Sequence, residues 1–134
     1  MTRGSPDAAW TAWIDVEGWG AYDHIEFAHL EGDFQPGATI SSKAKGFPAS
    51  TLTVTHVERP SLWVDESRSP GMRMTFDHVI EPSEGGTRLT ERVRITGALG
   101  RALGPLMRRK LEALFAASVA AVALRAEADE PPTP

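Results

Sequence analysis

The chain has 134 residues, of which 41% are hydrophobic and 24% are charged, and its formal net charge is −4. This length and composition predict one globular domain, and the negative charge argues against a nucleic-acid-binding surface. The sequence has no cysteine, which excludes disulfides and thiolate chemistry and suits a reducing compartment, so we expect a cytoplasmic protein. The longest nearly apolar run, residues 116–124, is too short to span a bilayer.

The chain opens with a short helix and then changes to strands. Ser5-Pro6-Asp7 is typical of a helix start, because a hydroxyl N-cap precedes proline at the first helical position. Trp10 and Trp13 then lie three residues apart on one helical face. Short connections predict that the following segments form an antiparallel meander. Six segments of strand character are separated by turns rich in glycine and proline, at residues 24–30, 38–46, 51–58, 62–67, 72–81 and 87–96.

The last two strands have the clearest predicted register. If Ile80 lies opposite Leu89, apolar side chains share one face of the hairpin and arginines such as Arg92 share the other. A slip of one residue would set arginines against apolar partners. Three further pairs then lie on the covered face: Phe76 with Val93, Met74 with Ile95, and His78 with Glu91.

A long amphipathic helix at the C-terminal end is expected to cover that face. Gly104-Pro105 indicates a helix start, or a kink after an earlier turn from Ala98. We expect residues 1–128 to form the single domain and residues 129–134, which are acidic and rich in proline, to form a disordered tail. The predicted buried stripe of this helix consists of Leu103, Met107, Leu111, Leu114, Ser118, Ala121 and Val122.

Several segments, taken together in their order and spacing, resemble a known superfamily. They are residues 15–19 (DVEGW), 30–37 (LEGDFQPG), 63–66 (WVDE), 76–78 (FDH), 86–90 (GTRLT) and Gly97. The match, from about Ser5 to Ala128, is to the START-related SRPBCC superfamily and its bacterial polyketide cyclase/dehydratase-like branch. The resemblance implies an α+β helix-grip fold, in which a curved antiparallel sheet wraps around the C-terminal helix. It also implies a cavity for a hydrophobic ligand such as a lipid, a sterol or a polyketide.

The chain departs from this family near its beginning. Family members begin with a strand before the first helix, and only residues 1–4 stand in that place here, so we expect the first strand to be truncated. Without that strand, residues 87–96 or 24–30 would present an unpaired edge, and a homodimer through this edge is a further expectation. Tyr22 also stands where members usually carry tryptophan.

His78 and Glu91 are the strongest candidates for chemistry, because they face each other among apolar side chains. As a functional pair they could bind a ligand carbonyl or transfer a proton. As a structural pair they would fix the hairpin, and this alternative is the favoured one. The candidate apolar wall of a ligand pocket consists of Trp63, Met72, Met74, Phe76 and Leu111, although plain core is the favoured interpretation for any one of them.

The other polar residues predict neither a metal site nor a catalytic site. Asp65 and Glu66 are adjacent in a strand, so only one faces inward, and the sequence does not decide which. His24 and His29 fall on opposite faces of a regular strand, and no second pair has zinc-like spacing. No Ser-His-Asp pattern and no phosphate-binding glycine loop occurs. We therefore expect no metal and no cofactor, and we assign no catalytic residue.

Three functions remain open at this stage. The first is binding of a hydrophobic small molecule, and the second is a polyketide cyclase or dehydratase that uses His78 and Glu91 as acid and base. The third is a protein-interaction module without a ligand pocket, which would use the sheet edge or the helix face. A cavity on which both polar groups converge would favour the first two, and a collapsed core would favour the third. The fold alone does not decide whether the chain is an enzyme.

Overall fold

A computed structural model describes residues 2–129 of the chain. Helix α1 spans Pro6–Ile14 and is capped by Ser5, whose hydroxyl accepts a hydrogen bond from the Ala8 N–H at 3.1 Å. A 3-10 helix, Val16–Ala21, leads into the sheet. The predicted strands are confirmed, with ends that differ by no more than two residues. The remaining elements are strands β1 (Ile25–Glu31), β2 (Thr39–Ala44), β3 (Ser50–Glu58), β4 (Leu62–Ser69), β5 (Met72–Ser83) and β6 (Gly86–Thr96) and helix α2 (Ala98–Asp129).

The six strands form one antiparallel sheet whose spatial order follows the chain from β1 to β6. Register shifts interrupt the β1–β2 pairing between Ile25 and Phe27 and the β3–β4 pairing between Val54 and His56. Such irregularities bend and twist a strand, which helps the sheet to curve around α2. Both α1 and α2 contact β5 and β6. The α+β helix-grip architecture implied by the sequence is confirmed.

The β5–β6 hairpin has the predicted register. Ile80 lies opposite Leu89, and the three further predicted pairs are also present. Arg92 and Arg94 are exposed on the outer face, where Arg94 forms an ion pair with Asp77 at 3.3 Å. The alternation of apolar and charged residues therefore selected the correct pairing, because one face of the hairpin is covered and the other is solvated.

Helix α2 begins earlier than Gly104-Pro105 and runs continuously through Pro105. The chain turns into it at Gly97, whose φ of 97° favours glycine and whose missing Cβ would lie 2.4 Å from the Gly71 carbonyl oxygen. Its last residue is Asp129, which the sequence had assigned to the disordered tail. The rest of the expected tail, residues 130–134, lies outside the described residues.

The buried stripe of α2 is rotated relative to the prediction. Leu111 and Val122 are buried as expected, but Leu103 is 40% exposed, and the prediction of a buried Leu103 is wrong. Phe115, which the predicted stripe omitted, is buried instead. At about 100° per residue, Leu103 lies about 120° around the helix from Phe115. Strands β5 and β6 cover the Phe115 side of the helix, so Leu103 falls beyond the covered arc.

The hydrophobic interior has two parts on either side of the middle of α2. The larger part, the tryptophan core, is formed where α1 packs against the sheet and the C-terminal half of α2. Trp13 meets Trp63 edge to face there, with ring centroids 6.2 Å apart, and Val122 and Ala126 close the core from α2. The smaller part, the Phe115 cluster, consists of Val93, Leu111 and Phe115, with Met74 and Phe76 packed against it.

The outer edge of β6 is bridged at one point. Thr2 and Thr87 exchange both backbone hydrogen bonds, at 2.8 and 2.9 Å, while the Thr2 hydroxyl donates to the Ala123 carbonyl at 2.7 Å. The sequence predicted that the first strand of the family is truncated, and at its expected place the structure has only this single bridge. Strands β1 and β6 form the two edges of the open sheet. Dimerisation through such an edge stays a prediction. None of the helices within residues 2–129 has both the length and the apolar character needed to cross a membrane.

Candidate functional site

A cavity of about 200 Å³ lies between the concave face of the sheet and α2. The tryptophan core borders it at one end and the Phe115 cluster at the other. Its wall is mostly apolar, and His78, Glu91 and Asp65 lie together on the sheet side. A collapsed core would have favoured an interaction module without a pocket, and the interior is hollow instead. The apolar wall includes Trp13, Trp19, Met74, Phe76, Leu111, Leu114 and Phe115.

The structure places five of the seven candidate site residues on this wall: Met74, Phe76, His78, Glu91 and Leu111. Trp63 and Met72 do not line the cavity. Trp63 is fully buried behind His78, and its indole stacks on the imidazole with ring centroids 3.5 Å apart. Met72, the first residue of β5, lies beside Gly100 at the start of α2. Both face inward, but Trp63 lies behind the wall and Met72 lies beyond its end.

His78 is held through both of its ring nitrogens. Its Nε2 lies 2.9 Å from Glu91 Oε1, and its Nδ1 lies 3.1 Å from the Trp63 carbonyl oxygen. A carbonyl oxygen only accepts, so Nδ1 carries a proton, and a carboxylate on Nε2 calls for a second proton there. The ring is then an imidazolium with no free donor, and the ligand carbonyl expected from the sequence finds no N–H on His78.

The electrostatics of His78 agree with this geometry. Burial disfavours the charged ring, but the hydrogen bond and charge of Glu91, together with the charge of Asp65, outweigh burial and raise the pKa of His78. The indole face of Trp63 beneath the ring adds a further attraction for a cation. His78 and Glu91 therefore form an imidazolium–carboxylate pair inside the cavity wall.

Asp65 is the inward member of the Asp65–Glu66 pair. It is only 2% exposed, whereas Glu66 faces outward and binds Arg68 at 2.9 Å. Burial raises the pKa of the Asp65 carboxyl to about 7, a rise that the charge of His78 opposes and that of Glu91 reinforces. Asp65 therefore gains or loses its proton in the neutral range, a property common among groups that exchange protons in catalysis. The strand pattern left its direction open, so the sequence did not single it out.

A second polar group lies on the opposite side of the cavity. His24 Nε2 is 3.0 Å from the Ser118 hydroxyl of α2, and the His24 ring stacks on Tyr22 with centroids 5.9 Å apart. Burial lowers the pKa of His24, against the opposing charges of Glu91 and Asp23. His29 faces away and contacts Glu17 at 2.8 Å, so the two histidines are on opposite faces as the sequence indicated.

The sequence missed the contribution of the N-terminal elements to the wall. Trp13 comes from α1, and Trp19 and Tyr22 come from the 3-10 helix and its end. Their only signal was a concentration of aromatic residues in a short segment, which equally fits a packed core. Among residues 2–129, no group of three or more histidine, aspartate or glutamate side chains is arranged to hold a metal ion.

No family model matches the sequence, and no curated protein does. Several solved structures have a similar fold. The di-domain ARO/CYC StfQ from the steffimycin biosynthetic pathway matches 95% of this chain at 18% identity with a TM-score of 0.73. The match covers 48% of StfQ, so this chain spans about half the length of that protein.

Two other solved structures match over nearly their full length. Protein NE0264 from Nitrosomonas europaea is 14% identical with a TM-score of 0.70, and the match covers 95% of this chain and 92% of that one. Ara h 8.0201 is 14% identical with a TM-score of 0.67, over 90% of this chain and 91% of that one. At these identities the likeness concerns the fold. The chain shares the helix-grip fold of these structures, so the fold that the resemblance of its sequence implied is confirmed.

Proposed function

We propose that the chain binds a compact hydrophobic small molecule in the cavity between the sheet and α2. The observation that carries this proposal is the mostly apolar cavity of about 200 Å³ with polar groups gathered on its sheet side. An engineered apolar cavity of about 150 Å³ in another protein is large enough to bind benzene. By that measure, one or two rings, or a short acyl chain, match the space here.

The fold relatives support a polyketide-like ligand in particular. StfQ is named as an ARO/CYC of a biosynthetic pathway, and it matches this chain with a higher TM-score than NE0264 or Ara h 8.0201. Trp13, Trp19 and Phe76 offer flat apolar surfaces on which a planar ring can stack. A lipid-like ligand of the same size fits the volume but makes less use of these rings.

Filling the cavity tests the proposal with a matched control. Calorimetric titration with 1-naphthol, a two-ring probe, should show binding to the wild-type protein. Leu114→Trp places an indole in the cavity and should weaken binding at least tenfold, whereas Leu124→Trp, on an exposed position of the same helix, should leave it unchanged. Binding that survives Leu114→Trp unaltered would place the probe elsewhere and refute the site.

A second candidate function is supported by one observation, the carboxyl of Asp65 with its pKa of about 7 on a cavity wall. In this candidate the chain is a cyclase or dehydratase, and the His78–Glu91 pair with Asp65 exchanges protons with the substrate. Glu91 and Asp65 line the cavity with one unpartnered carboxylate oxygen each, while His78 holds Glu91 in position. Loss of water from a short 3-hydroxyacyl thioester, followed by mass spectrometry and abolished in Asp65→Leu, would establish an enzyme. If the protein binds 1-naphthol but shows no turnover, the enzymatic candidate is refuted and the binding function stands.

A further inference from the structure

Two carboxylate oxygens on the cavity wall have no hydrogen-bond donor from the protein. Asp65 Oδ1 and Glu91 Oε2 are both buried, and no group within residues 2–129 donates to either. Both side chains line the cavity, and the Glu91 side chain is 9% exposed. Buried acceptors without a partner cost stability, so a protein that retains two at one place indicates a ligand that satisfies them.

The donors of His78, His24 and Ser118 are already engaged. His78 uses Nδ1 for the Trp63 carbonyl and Nε2 for the other oxygen of Glu91. Across the cavity, the Ser118 hydroxyl and His24 bond to each other. The polar part of the cavity therefore has unsatisfied oxygens and no free N–H of His78 to offer in return.

We propose that the ligand is an apolar molecule that carries a hydroxyl group, a phenol or an alcohol, bound at Asp65 Oδ1 and Glu91 Oε2. This inference rests on the proposed binding function and names the chemistry of the ligand. A hydroxyl group both donates and accepts a hydrogen bond. It can donate its single proton to Glu91 Oε2 and, at the same time, accept a hydrogen bond from Asp65 when that carboxyl is protonated.

Other polar groups fit this wall less well. A ligand carbonyl only accepts, so it would leave Glu91 Oε2 without a donor and bring one acceptor against another. An ammonium group would donate, but the imidazolium of His78 already balances the charge of Glu91. Asp65 alone, with its pKa of about 7, is then a weak counter-charge for a cation that must leave water. A neutral hydroxyl avoids both problems.

Two probes of nearly the same shape test the inference on the wild-type protein. 1-Naphthol and 1-methylnaphthalene differ by a hydroxyl in place of a methyl group, so the second lacks only the hydrogen bonds of the hydroxyl. Calorimetric titration should show at least tenfold tighter binding of 1-naphthol, because the methyl compound leaves the carboxylate oxygens unsatisfied. Equal affinity for the two probes would overturn the hydroxyl inference and leave the binding function standing. Binding of neither would refute the proposed function itself.

One substitution locates the hydroxyl. Asp65→Leu keeps approximately the same shape and removes a buried acceptor without a partner, so the melting temperature should rise while the preference for 1-naphthol falls at least threefold. Glu66→Leu is the matched control, because it lies next in β4 and faces the other side of the sheet, and it should leave the preference unchanged. A preference that persists in Asp65→Leu would overturn the assignment of the hydroxyl to this oxygen. If Asp65→Leu does not fold, the wild-type comparison of the two probes still decides.

Discussion

The two halves of helix α2 differ in what they do for the molecule. In the C-terminal half, Val122, Ala123 and Ala126 are buried in the tryptophan core. In the N-terminal half, Leu99, Leu103 and Leu106 are exposed, and the first well-buried large side chain is Leu111. The C-terminal end of the helix therefore fixes the fold, whereas its middle, residues 107–118, covers a cavity that it only partly fills. Stability and room for a ligand are thus separated along a single helix.

The largest loss of stability is expected in the tryptophan core. Trp10 is almost fully buried and packs edge to face on Phe34, with ring centroids 6.4 Å apart. Trp10→Ala should lower the free energy of unfolding by about 3–5 kcal/mol, measured by urea denaturation. A loss below about 1 kcal/mol would mean that this end of the molecule does not carry the stability assigned to it.

His78 lies where the tryptophan core meets the cavity, so its substitution tests both roles. His78→Ala should cost about 3 kcal/mol, because it leaves the buried Glu91 carboxylate without its cation. Urea denaturation gives the cost, and titration with 1-naphthol shows whether binding also changes. Lost binding with an intact melting temperature would instead make His78 a ligand group and not a structural one.

In the wall of the cavity we expect a smaller cost. Leu111→Ala should lower stability by about 2 kcal/mol, the low end for buried leucine, because the side chain already borders empty space. The enlarged cavity should then accept a bulkier probe than the wild-type protein does. A cost equal to that of Trp10→Ala would remove the contrast between the two regions.

The pH dependence should be smaller and should run in one direction. The folded pKa of Asp65, about 7, lies above its ordinary value of 3.8, so stability falls as pH rises between these values. The folded pKa of His78 is also raised, so its contribution is complete below about pH 6.5 and is lost as pH rises through that folded pKa. Urea denaturation at about pH 5 and about pH 8 should therefore show a less stable protein at the higher pH. Asp65→Leu should reduce this difference, and an unchanged difference would contradict the raised pKa.

The smallest effect is expected on the exposed face of α2. Leu106 is 73% exposed, so Leu106→Ala should change the free energy of unfolding by less than about 0.5 kcal/mol. The same denaturation assay that detects the Leu111→Ala cost serves here. A cost as large as that of Leu111→Ala would show that something covers this face in solution.

Much of the fold was predictable because its signals are local. The alternation along β5 and β6 fixed the hairpin register, and with it the contact of His78 and Glu91. The sequence predicted less well which side of α2 is buried, because that depends on which neighbours cover the helix. Phe115 is buried because β5 and β6 reach that side, where Phe76 and Val93 pack in the same cluster.

The cavity itself was less predictable than the strands around it. Asp65 and Glu66 point to opposite faces of the sheet, but which of them faces inward is set by the pairing with β5, where Phe76 lies opposite Asp65. Trp13 and Trp19 reach the wall from elements far from β5 in sequence, so no local pattern connects them. Trp63 and Met72 were predicted to line the pocket and do face inward, but neither reaches the cavity.

The stack of Trp63 on His78 gives the site an internal optical indicator. The two rings are parallel to within 1° and their centroids are 3.5 Å apart, so the indole is in full contact with the imidazole. A protonated imidazole in such contact quenches indole fluorescence by accepting an excited electron, whereas the neutral ring quenches far less. Emission from Trp63 should therefore brighten as His78 loses its proton. The charge of the buried pair can then be followed by light, without a label and without unfolding the chain.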